Sequence, residues 1–105
     1  MGMDKKVSFP PEKAPTWPAL VNALASRQVK IDLRMIDGEL SFPDETPPET
    51  WRELRVGTPG GMITLRREAD GIAVVTWGNA DEKMRQAWNE LAQAIAHLTG
   101  GTIAT

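Results

Sequence analysis

Three turn signals divide the middle of this chain and leave little freedom in how it can fold. Asp37-Gly38, Thr58-Pro59-Gly60-Gly61 and Asp70-Gly71 each stand between short strand-like runs, most of them alternating apolar with polar residues and the last, Ile72 to Trp77, apolar on both faces. Alternation at period two marks a strand with one buried face, and aspartate–glycine supplies the positive φ that a two-residue hairpin turn requires. Parallel neighbours need a crossover of about a dozen residues. The connections here are far shorter, so the strands they join are expected to run antiparallel.

Register follows from the turns. Ahead of Asp37, Val29, Ile31, Leu33 and Met35 alternate with Lys30, Asp32 and Arg34. With Asp37 and Gly38 as the turn, Ile36 faces Glu39, Met35 faces Leu40 and Leu33 faces Phe42. A four-residue loop over 58–61 pairs Gly57 with Met62, Val56 with Ile63 and Leu54 with Leu65, and sets Glu53 opposite Arg66. A two-residue turn at Asp70-Gly71 pairs Arg67 with Val74, Arg66 with Val75 and Thr64 with Trp77. Across the 58–61 loop apolar residues meet apolar ones, and Glu53 and Arg66 form an opposite-charge pair on the other face.

Helical periods flank the strands. Trp17, Leu20, Val21 and Leu24 fall at i, i+3, i+4 and i+7, which predicts a helix from about Trp17 to Arg27, capped by Thr16 with Pro18 in its first turn. Met84, Trp88, Leu91, Ile95 and Leu98 predict a longer one, with Asn79 and Glu82 in the form of a capping box and Gly100-Gly101 as its stop. Residues 1–15 have no apolar period and contain Pro10, Pro11 and Pro15, so they read as a flexible proline-containing arm. Residues 16–101 read as one domain and 102–105 as a short tail. The expected fold is α+β in two layers: a mostly antiparallel sheet of about five short strands, with both helices packed on one face. Val29, Ile31, Leu33, Leu40, Phe42, Leu54, Val56, Ile63, Leu65, Ile72 and Val74 would form that face.

Composition narrows the function. A chain of 105 residues without cysteine has no disulfide scaffold, thiol nucleophile, iron–sulfur cluster or cysteine-based zinc site. Its formal net charge of −2 provides no global field for a polyanion, which disfavours nucleic acid and anionic membranes as partners. No apolar run is long enough to span a bilayer and the start, Met1–Lys6, has no signal-peptide core, so a cytoplasmic protein is expected. The lone His97 suits the dipole at a helix end. No nucleophile motif, Glu-x-x-His pair or calcium-loop spacing is present, so no catalytic, cofactor-binding or metal-ligating residue is assigned.

The strand pattern leaves Asp32, Arg34, Glu53, Arg55, Met62, Thr64, Arg66, Ala73, Val75 and Trp77 on the face away from the helices. An apolar patch rimmed by charge marks an interaction surface. The leading expectation is a non-catalytic protein-interaction module, a homodimer or the partner of another protein. Trp77 would be its central anchor, Met62, Thr64 and Val75 would supply contact, and Arg34, Arg55 and Arg66 would set register. Asp32 and Glu53 among the arginines argue against a nucleotide-stacking face.

Two alternatives compete with that expectation. The arm, through Val7 and Phe9, or the loop of Pro43 to Thr50 would fold across the same face. Otherwise a small-molecule-binding or enzymatic domain would place its pocket between the sheet and the Pro43–Trp51 loop, with Arg55 or Arg66 fixing an anionic group. Trp51 opens a strand after that loop, so alternation does not fix its side.

Overall fold

A computed structural model describes residues 2–77 and 81–104, without the side chains of Met3 and Trp77. In chain order these residues form β1 (Gly2–Ser8), α1 (Trp17–Ser26), β2 (Asp32–Ile36), β3 (Glu39–Leu40), β4 (Glu53–Thr58), β5 (Gly61–Glu68), β6 (Gly71–Trp77), α2 (Glu82–Thr99) and β7 (Thr102–Ala104). The sheet is antiparallel throughout, in the order β3-β2-β4-β5-β6-β1-β7. The α+β antiparallel reading holds, with seven strands in place of about five.

Both additional strands come from the ends of the chain. Gly2–Ser8, read as an arm, runs the length of β6, and Thr102–Ala104, read as a tail, pairs with the end of β1. The prolines that argued against a helix begin only at Pro10, past the last ladder residue, so they remove no donor from β1. Val7 and Phe9 provide the driving force. They are 0% and 7% exposed and belong to the same apolar cluster as Leu20 and Leu24 of α1, Leu91 and Ile95 of α2, and the buried residues of β2, β4, β5 and β6.

Local chemistry sets the helix ends. The Thr16 hydroxyl accepts the Ala19 N–H at 3.3 Å and Pro18 lies in the first turn of α1, as its sequence requires. At α2 the cap is Asp81, whose carboxylate accepts the Met84 N–H at 2.9 Å. The predicted cap, Asn79, lies outside the described residues. Gly100, at φ 69°, closes the helix in the left-handed conformation. Met84, Trp88, Leu91 and Ile95 are buried, whereas Leu98, expected on the same stripe, is exposed in the last turn.

The β4–β5 register is the expected one, from Glu53 opposite Arg66 to Gly57 opposite Met62. Asp37 and Gly38 adopt φ 50° and 86°, the left-handed values their hairpin needs. The Asp37 carboxylate accepts the N–H groups of Arg52 and Glu53 at 2.7 and 2.9 Å, which ties the β2–β3 turn to the start of β4. The bond from Glu53, followed by that from Arg52, lowers the Asp37 pKa.

The β5–β6 turn lies one residue earlier than expected, which moves the cross-strand pairing by two. Ala69 and Asp70 make the bend, so Arg67 faces Ile72, Leu65 faces Val74 and Thr64 faces Val75. A shift of two preserves the side each residue faces. Gly71 is needed elsewhere: a Cβ there would lie well inside contact distance of the Val7 carbonyl, so the glycine lets β1 approach β6.

A one-residue bulge in β2 has larger consequences. Leu33 pairs with Val56 but Met35 pairs with Arg55, which leaves Arg34 as the extra residue. Met35 is thereby turned to the side of Arg55, opposite the core, and Ile36 packs against the core instead. Leu40, paired with Met35, follows it out and is 87% exposed. Phe42 lies past the end of β3 and is 71% exposed, so the expected place of both residues in the core is overturned.

Candidate functional site

One row of paired residues crosses six strands of the outer face: Leu40, Met35, Arg55, Thr64, Val75 and Asp4. On one side of it lie Glu53, Arg66, Ala73 and Lys6, and on the other Asp32, Gly57 and Met62. Gly57 has no side chain to fill its position, and the bulged Arg34 occupies the gap: a Cβ on Gly57 would stand 2.9 Å from Arg34 Nε. Glu53 and Arg66 form the expected cross-strand ion pair at 3.6 Å, partly exposed and therefore screened by water. Lys6 bridges Asp70 at 2.6 Å and Glu68 at 3.3 Å. Its hydrogen bond to Asp70 raises the Lys6 pKa and lowers that of the carboxylate.

The two larger grooves on this face are shallow. One of about 490 Å³ runs between Arg55, Met62, Thr64, Arg66 and Val75. The other, about 460 Å³, lies between Arg34, Met35, Leu40 and Met62. Arg34, Arg55, Arg66 and Met62 are exposed, and Thr64 and Val75 are half-buried. Six of the seven residues singled out from sequence therefore share one face. The backbone of Trp77 ends β6, but its side chain, expected as the central anchor, lies outside the described residues. Met35 and Leu40 were missed as outer-face residues. Met35 and Ile36 are adjacent apolar residues, so only one of them can face the core, and that break in alternation was the available signal.

The segments expected to compete for this face are used elsewhere. Val7 and Phe9 are in the core, and the loop before β4 buries Pro47 and Trp51. Trp51 belongs to the core cluster, with the Arg67 guanidinium 4.3 Å from its ring centre. A separate cavity, of about 530 Å³, opens here between the loop and the start of α1, with Pro11, Pro15, Trp17, Pro47, Trp51 and Arg67 in its walls. The arginine expected near this loop was Arg55 or Arg66. Both lie on the outer face instead, and Arg67 takes the position because it has the parity of the buried Ile63 and Leu65.

Among the described residues no cluster of three or more histidines, aspartates and glutamates is placed to hold a metal ion. None of the described helices is long and apolar enough to cross a membrane. No protein-family model matches the chain, and no curated protein or solved structure is significantly similar to it.

Proposed function

We propose that this protein is a non-catalytic interaction module that pairs with a second copy of itself through the outer face of its sheet, with α1 and α2 covering the opposite face. The observation that carries this reading is the exposure of Leu40 (87%) and Met62 (42%) around the half-buried Met35, within a frame of arginines. Apolar side chains with charge at their rim form the usual anatomy of a contact surface. Asp4, Asp32, Glu53 and Glu68 share the face with Lys6, Arg34, Arg55 and Arg66. Such a mosaic suits a two-fold interface, in which a patch must complement itself, better than a polyanion, which would meet four carboxylates. A cysteine-free chain is at home in a reducing cytoplasm, and that location belongs to the same proposal.

Met62→Asp tests the reading. The side chain is exposed, so the substitution spares the core, yet two-fold symmetry inserts the carboxylate twice into the contact. Light scattering is expected to show the dimer mass fall to that of the monomer, with association weakened about 100-fold or more and helix content unchanged. Glu12→Lys, on the exposed turn after β1, is expected to leave the mass as it was. A Met62→Asp protein that associates like the unmodified chain would overturn the reading.

A further inference from the structure

The cavity between α1 and the loop before β4 presents an unusual cation. Arg67 is half-buried, stacked on Trp51, and donates from Nη1 to the Glu49 carbonyl at 2.6 Å. Its Nε is shut off from water with no hydrogen-bond partner among the described residues, and among those residues no carboxylate lies within ion-pairing distance of the guanidinium. Burial lowers its pKa, while the more distant Asp37 works in the opposite direction. A desolvated charge without a counter-ion is costly, and a ligand that supplied the counter-ion would recover that cost as affinity.

The walls define the rest of such a ligand. Pro11, Pro15, Pro47 and the indole of Trp17 offer flat apolar surface, and about 530 Å³ is room for a small organic molecule. The start of α1 adds little to anion binding. Pro18 has no N–H, and those of Ala19 and Leu20 are donated to the Thr16 hydroxyl and carbonyl. With one guanidinium available and Glu49 at the rim, a singly charged group is favoured over a phosphate dianion. We propose that this cavity binds a small organic carboxylate with a flat apolar body, its carboxylate held at Nη2 of the Arg67 guanidinium, the nitrogen that neither the Glu49 carbonyl nor burial takes up.

Phenylacetate and its neutral counterpart phenylacetamide, titrated into the ¹⁵N-labelled full chain, form the test. The acid is expected to shift the indole N–H signals of Trp17 and Trp51 along saturable curves, and the amide to bind roughly tenfold more weakly or worse. Arg67→Gln is expected to abolish the preference for the acid, and Arg67→Lys, which keeps the charge but loses the fork, to retain part of it. Equal binding of acid and amide, no saturable shift at either indole, or an Arg67→Gln protein that still prefers the acid would each overturn the proposal. Should Arg67→Gln fail to fold, the comparison of the two probes on the unmodified protein decides alone.

Discussion

Replacing Trp88 by alanine is expected to remove about 3–5 kcal/mol of folding stability, the largest single effect this structure predicts. The indole is 8% exposed on the buried stripe of α2, and its Nε1–H donates to the Val74 carbonyl of β6 at 2.7 Å. Lys5 of β1 places its ammonium 4.9 Å from the ring centre, so one side chain joins the long helix to two strands. Truncation opens a cavity where all three meet. A domain of this size has about 5–15 kcal/mol in total, so the urea midpoint should fall by about a fifth or more. Trp88→Phe keeps most of the apolar area and loses the donor, and is expected to cost about 1–2 kcal/mol. Equal losses from the two variants would mean that the hydrogen bond, not burial, holds α2 to the sheet.

Gly71→Val is expected to detach one side of the sheet. The new Cβ would meet the carbonyl of Val7 and the Cα of Ser8, both backbone atoms that cannot swing aside. Gly101 lies against Ser8 in the same way, so the end of β1 is confined between two glycines. Displacing it exposes Val7 and Phe9, breaks the bond from the Phe9 N–H to the Asp70 carbonyl, and leaves β7 unsupported, since among the described strands β7 pairs only with β1. Overpacking of this kind costs about 3 kcal/mol. Hydrogen exchange should show the amides of residues 4–8 losing protection while those of β4 and β5 keep theirs. Uniform protection in the variant would show that β1 and β6 tolerate a side chain between them.

These two sites also show where sequence reading succeeds and where it stops. Trp88 was legible because a helical period places it beside Met84, Leu91 and Ile95, and burial follows period. The β4–β5 register was legible because the 58–61 turn and the pairing of Glu53 with Arg66 agree. Gly71 was misread as a turn residue: its actual role depends on β1, a strand more than sixty residues earlier that carries no turn signal of its own. The outer-face positions of Arg55, Met62, Thr64, Arg66 and Val75 survived that error because a two-residue slip keeps parity. Met35 and Leu40 did not survive the bulge, because one extra residue reverses parity for everything after it. The Arg67 cavity was out of reach for a different reason: its walls come from aperiodic proline segments that only tertiary packing brings together.

The central claim is that two copies meet through the outer sheet face, and isotope-filtered NOE spectra of a mixture of labelled and unlabelled protein test it most directly. Intermolecular contacts are expected among the side-chain signals of Leu40, Met62 and Val75, with none at Leu98 or Ile103, the exposed apolar residues of α2 and β7. Intermolecular contacts confined to Leu98 and Ile103, or none at all at millimolar concentration, would contradict it.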